Sequence, residues 1–406
     1  MRITDLEVVP IAFRDPPLLN SSGVHEPLAL RCVLRLHTED GVVGLSEGPG
    51  DRASLDRLAA VRESVRGMSV FATTLIARAV DAALPGAREV DRAAAFSLIE
   101  VACLDVQGKV LGLPVSELLG GRVRDAVPYA AYLFYKWAGH PGEADDEWGE
   151  ALDPDGIVRQ ARRMIDAYGF GSIKLKGGVF PPEQEIAAIR ALRAAFPEHP
   201  LRIDPNCAWT PETGRRVAEE LDGVLEYLED PSPGVDGMAA VARAAGMPLA
   251  SNMCVHSFGT LAPAVARGAV HVVLSDHHYW GGLRRTQHLA TLCEAFGLGL
   301  SMHSNSHLGI SLAAMTHLAA SIPHLGYACD THYPWNAADD VVVPGALRFE
   351  DGAVPVPTGP GLGVELDEAA LARLHRAYTE SGRQVRDDTG YMRRFRPDFD
   401  PALPRW

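Results

Sequence analysis

The chain has 406 residues, 47% of them apolar, and a formal net charge of −14. That length and apolar content suffice for one barrel-sized domain with a smaller companion, and they exclude disorder as the starting assumption. Lys and Arg are spread too thinly for a phosphate-neutralising surface, so a nucleic-acid partner is excluded, whereas an anionic substrate held by local cations in a cleft is not.

The N-terminus (MRITDLEVVPIAF) alternates like a strand, and three strands are predicted, over Ile3 to Ala12, Leu30 to Leu36 and Val42 to Glu47, with a turn at Glu39-Asp40-Gly41. Residues 53 to 118 are Ala- and Leu-rich with helical spacing, which makes the first third a small α+β unit. No basic leader or run of 18 apolar residues occurs, so a soluble, cytoplasmic protein without a membrane partner is expected. The six cysteines (Cys32, Cys103, Cys207, Cys254, Cys293, Cys329) form no C-x-x-C pair and read as reduced, buried thiols.

From about residue 128 the pattern changes to short apolar runs alternating with amphipathic segments. One example is G-S-I-K-L-K ending at Lys176, followed by a helix from Pro182 with Ile186, Ile189, Leu192 and Phe196 on one face. Further strands end near Asp204, Glu229, Asn252, Asp276 and His303, at intervals of 23 to 28 residues. Units of that length without a dinucleotide glycine fingerprint predict an α/β fold, a modified TIM-type (β/α) barrel, with a first strand near Tyr129 to Tyr135 and a last near Tyr327 to Thr331. The expected organisation is a capping domain over 1–125, a barrel over 126–345, and a Pro- and Gly-rich then helical segment over 346–406 that returns to the cap.

In a barrel the C-terminal strand ends share one rim, so Lys174, Lys176, Asp204, Asn206, Glu229, Asn252, Asp276, His303 and Asn305 should converge. Asp204, Glu229 and Asn252 offer only oxygen donors on three adjacent strands, which suits Mg²⁺. Each alone could merely cap a helix. Lys174 and Lys176 alternate on one strand and so face the same side, where a second amine and a metal are expected to lower the Lys176 pKa and let it act as a base. Asp276 would fix the tautomer of His303. The crowd of histidines (His277, His278, His303, His307) raises the question of zinc, but neither H-E-x-x-H nor a first-strand H-x-H is present.

At these residues the sequence resembles the enolase superfamily, and within it the glucarate dehydratase group, over nearly the whole chain. The Asn of S-N-M, Asn252, carries the closer resemblance. The resemblance implies Mg²⁺ on Asp204, Glu229 and Asn252, Lys174 neutralising the substrate carboxylate, and Lys176 and the His303–Asp276 dyad as bases on opposite faces. It further implies substrate contacts from Asn20 and His25 on a mobile capping loop, Ser97, Tyr132, Lys174, Asn206, Asn305, His332 and Arg386. Cys207 stands where the group reads Gly in D-P-N-G-A-W, and the stretch from Glu229 to Asn252 is shorter. The expected activity is dehydration of an acid sugar by a homo-oligomer; a racemase or epimerase, or a catalytically silent relative, remains the alternative.

Overall fold

In the computed structural model, which describes residues 1–406, strands Ile3–Arg14, Leu28–Thr38 and Val43–Pro49 form an antiparallel sheet in chain order. All three predicted strands are present; the first and third run two residues further at their C-terminal ends and the second two further at both. Helices Arg52–Val65, Thr73–Ala83 and Glu89–Leu111 follow, and a core of 19 buried residues, among them Leu34, Val61, Ile76 and Ile99, joins them to the sheet. Asp51 caps the first helix by accepting from the Ser54 N–H, and Gly112, in the left-handed region at φ 69°, ends the third.

Seven parallel strands then pair strictly with their chain neighbours: Ala131–Phe134, Ile173–Lys176, Leu201–Asp204, Tyr227–Glu229, Leu249–Ser251, Val272–Ser275 and Gly299–Met302. Every one is buried nearly throughout, as strands covered by helices on one side and filled by side chains on the other must be. Ile173, Leu175, Leu201, Ile203, Leu228 and Leu249 belong to the large core of 82 buried residues, whereas Tyr227, Ala250, Val272 and Leu274 form a small separate cluster. The predicted eighth strand from Tyr327 to Thr331 is reduced to a bridge. Cys329 bonds with Pro128 and Ala130 on one side, and the Asp330 N–H donates to Met302 O on the other. Closure thus needs only a few residues, and the short strand leaves Asp330 free to turn into the barrel.

Buried carboxylates tie the cap to the barrel. Glu47 accepts from the Leu308 and Ser311 N–H groups at the start of helix Gly309–Ala320, each at 3.0 Å, and pairs with Arg31. Glu100 accepts from Leu283 and Arg284 at the start of helix Leu283–Ala295. Negative charge at a helix N-terminus satisfies otherwise orphaned donors and complements the dipole. In the C-terminal segment Ala353–Pro355 pairs antiparallel with Ala126–Pro128, and on helix Glu368–Ser381 the His375 ring hydrogen-bonds Pro10 O at 2.7 Å. No helix is long and apolar enough to cross a membrane.

Candidate active site

The two lysines lie on one face of their strand, as alternation requires, and both are buried. Lys174 Nζ is 2.6 Å from Asp330 Oδ2 and 2.6 Å from Glu229 Oε2, and 4.6 Å from the centre of the Tyr132 ring. Lys176 Nζ donates to Asp204 Oδ2 and to Asn206 Oδ1, both at 2.6 Å. On the next strands, Asn252 Nδ2 donates to Glu229 Oε1 at 3.2 Å, and Asp230 accepts from Ser251 Oγ and from the Asn252 and Met253 N–H groups. Asp230 therefore sets the backbone that presents Asn252.

Apart from any metal, the protein's own charges set the Lys176 amine. Burial is the largest single influence and would push the Lys176 amine down, but Asp204 together with Tyr132 and Glu229 outweighs it, and the amine is held above its ordinary range. The second lysine acts in the expected direction and is too weak to prevail. Asp204 is correspondingly held below the usual carboxylate range, against the effect of its burial. Glu229 is pushed well up, by burial first and then by the negative charge of Asp204.

The donors fit a hard cation. Asp204 and Glu229 face each other closely enough to repel, with Asn252 beside them, and Glu229 Oε2 lies near Lys174 without the alignment of a hydrogen bond. Two carboxylates and an amide oxygen are ligands for an ion such as Mg²⁺.

Across the rim Asp276 is the hub of an imidazole cluster. His278 Nδ1 meets its Oδ1 at 2.8 Å, while His303 Nδ1 and His307 Nε2 face its Oδ2 at 3.4 and 3.5 Å. Burial would raise the Asp276 pKa, but His278 and His307 more than reverse this and hold it well below the usual range. Ligand atoms of Asp276, His278 and His307 lie within 4.8 Å of one another. His278 is held at both nitrogens, the second at Glu47 O at 2.8 Å, and so orients Asp276. With Nδ1 of His303 turned to Asp276, its other nitrogen is left for the cavity.

Two hollows flank this rim. One, of about 530 Å³, is lined by Asn252, Asp276, His303, Tyr279 and Trp280. The other, of about 410 Å³, is wholly polar and gathers Asn20, His25, Asn305 and Arg386. Arg386 Nη1 donates to Asp15 Oδ2 at 2.8 Å, and His25 Nδ1 is 3.2 Å from the same oxygen. Tyr132 lies behind Lys174, its ring 4.8 Å from that of His332, and Asn206 Nδ2 donates to Ser21 Oγ at 2.9 Å. Ser97 is the residue not brought in. It is fully buried, and its hydroxyl donates to His277 O at 2.9 Å, bracing the cap helix against the barrel.

Asp330, Asp230 and Asp15 were missed by sequence reasoning, and His278 was noticed only as one of the histidine crowd, not as the partner of Asp276. Asp330 and Asp230 adjoin residues that were noticed, in D-T-H and E-D-P, and that adjacency was the available signal. Cys207 sits at φ 63° after Asn206 at φ 54°, a left-handed pair that explains why glycine suits the position.

Comparison with known proteins places these features in a family. A "probable glucarate dehydratase" from Streptomyces coelicolor is 51% identical over 100% of this chain and 99% of its own length. A chloromuconate cycloisomerase from Cupriavidus pinatubonensis is 31% identical over 86% of this chain and 92% of its own. Among solved structures, an enolase from Mycobacterium smegmatis complexed with tartrate superposes with a TM-score of 0.98 at 63% identity, covering 100% of this chain and 98% of that one. An enolase from Thermobispora bispora complexed with magnesium and formate gives 0.98 at 59%, with both chains covered completely. The family model for the mandelate racemase / muconate lactonizing enzyme N-terminal domain matches residues 8–120, the enolase C-terminal domain-like model matches 156–370, and the chain belongs to the enolase superfamily.

Proposed function

We propose that this chain is a Mg²⁺-dependent hydro-lyase acting on a sugar diacid, D-glucarate or a related aldarate, that removes the proton beside a carboxylate and expels the β-hydroxyl to give a keto-deoxy acid. The observation that carries this reading is strand order: the three oxygen donors occupy successive strands between the strand bearing Lys176 and the strand leading to His303. A carboxylate held at the centre would thus have a base on either side. The likeness to the Streptomyces protein supports the substrate class.

A proton beside an ionised carboxylate is hard to remove, because its loss adds charge to an anion. Mg²⁺ on Asp204, Glu229 and Asn252 would supply a Lewis acid against that charge. Lys174, a buried cation on the same wall, adds a fixed positive charge. Lys176 becomes a base only as its ion pair with Asp204 loosens. On the other face His303, oriented by Asp276, takes a proton from the epimeric carbon or returns one to the departing hydroxyl. Arg386, His25, Asn20 and Asn305 form the polar hollow for the far end of the diacid.

The test is incubation with a set of aldaric and aldonic acids and Mg²⁺, followed by keto-acid detection and product analysis. Keto-deoxy diacid from an aldarate is expected. Epimer without loss of water would replace the dehydratase by an epimerase, a reading the same two bases allow.

A further inference from the structure

One guanidinium far along the chain reaches three loops of the site. Arg405 Nη2 donates to Ser21 O at 2.8 Å and Nη1 to Gly178 O at 3.3 Å, while its N–H donates to Ala208 O at 2.7 Å. Ser21 lies in the hairpin that carries Asn20, Gly178 is two residues beyond Lys176, and Ala208 is two beyond Asn206. The side chain is itself well seated. The Trp406 N–H donates to Ala208 O at 3.1 Å, Trp406 O accepts from the Thr210 N–H, and the Phe399 and Trp406 rings lie 5.1 and 5.3 Å from the guanidinium carbon.

The loops it joins are already tightly placed. Gly178 has φ 73°, and a Cβ there would stand 2.2 Å from Pro205 O, so the lysine loop rests directly on the D-P-N turn. Buried Glu185 accepts from the Gly178, Val179 and Phe180 N–H groups and holds that loop from behind. The hairpin is fixed to the same turn by Asn206 Nδ2 to Ser21 Oγ. What is left to join hairpin to lysine loop is the forked guanidinium, whose rigid, pre-organised donors serve two carbonyls at once.

We propose that Arg405 is a positioning residue that holds the hairpin bearing Asn20 closed over Lys176 and Asn206. Its relevance to catalysis rests on the dehydratase reading above; its effect on the loops does not. In Arg405→Ala, hydrogen exchange of the amides in 19–25 and 177–180 should rise together, by the roughly two- to tenfold that loss of a hydrogen bond implies. The remaining amides should keep their rates. Unchanged exchange in either segment would overturn the bridge, and so would a uniform rise throughout the chain. Arg405→Lys keeps the charge without the fork and should leave at least one segment less protected; full protection of both would also overturn it. With D-glucarate and Mg²⁺, Arg405→Ala should raise KM roughly two- to tenfold with a smaller change in kcat, while the exposed Arg396→Ala matches the unaltered protein. If the unaltered protein turns over no aldarate, the functional reading fails while the exchange experiment still decides the bridge.

Discussion

Lys176 ends the second of the seven paired strands and His303 follows the last, and the two are supported in opposite ways. The lysine side is a lattice of direct ion pairs, Lys176 with Asp204 and Lys174 with Asp330 and Glu229, in which buried carboxylates outnumber amines. The histidine side has one carboxylate, Asp276, shared among imidazoles that are themselves hydrogen-bonded or packed. The first arrangement is incomplete without another cation, because Glu229 must otherwise be held toward its neutral form. The second carries no such surplus of negative charge, since Asp276 is held ionised by its imidazoles. Metal dependence should therefore be a property of the lysine side.

The largest expected effect tests whether both sides take part. Lys176→Ala and His303→Ala should each lower turnover by roughly 10² to 10⁴. In D₂O, His303→Ala should still exchange the α-proton of a diacid whose hydrogen faces Lys176, and Lys176→Ala should lose that exchange while keeping it for the epimer facing His303. Loss of exchange for both epimers in His303→Ala, with substrate still bound, would replace the two-base scheme by a single base.

A smaller effect separates the sides directly. Mg²⁺ should raise the thermal midpoint of the unaltered protein, since a ligand that binds only the folded chain stabilises it by mass action. Asp204→Asn and Glu229→Gln should lose that rise, and His303→Ala should keep it. A His303→Ala protein blind to Mg²⁺ would mean that the metal donors extend across the rim. Zinc alone restoring activity to chelated protein would contradict the oxygen donor set.

The rim was legible because barrel topology makes sequence order into spatial order: Lys176, Asp204 and Glu229 end strands in the structure as predicted, and Asn252, Asp276 and His303 lie one residue beyond. Partners brought in by single bridges or by other loops were not legible. Asp330 reaches Lys174 only because the eighth strand shrinks to Cys329, and Asp15 meets Arg386 across 371 residues of chain. The Lys176 pKa was not legible for a related reason. Its direction depends on whether the amine or the metal claims Asp204, and residue types alone do not decide that.

Acid should weaken the fold through buried neutral imidazoles, one in the histidine side and one outside it. His307 and His317 are each pushed down to about 4, chiefly by burial. His317 Nε2 donates to Leu362 O at 3.1 Å and Nδ1 accepts from the Ser116 N–H at 3.3 Å, so protonation would set two N–H groups against each other. Because the folded pKa lies below the unfolded one of about 6.5, the unfolded chain takes up protons first, and stability falls as pH drops from about 6.5 toward 4. Thermal melts across that window should be flatter for His317→Gln. The slope that remains sums His307, His277 and His332 against the opposing uptake by buried Glu100, Glu185 and Asp230, and an unaltered slope would show that His317 does not titrate as its contacts require.

The smallest effect concerns the one expected contact that the structure turns elsewhere. If Ser97 touched substrate, its loss would weaken diacid binding; bonded to His277 O beside the Asp276 cluster, it should affect only the fit of cap to barrel. Ser97→Ala should cost about 1 kcal/mol, the net worth of one hydrogen bond, because His277 O still accepts from the Gly281 and Gly282 N–H groups and is not left unpaired. Denaturant melts should show that loss while KM for the best diacid stays unchanged. A raised KM at unaltered stability would instead return Ser97 to the substrate, and would mean that the cap helix shifts when the site is filled.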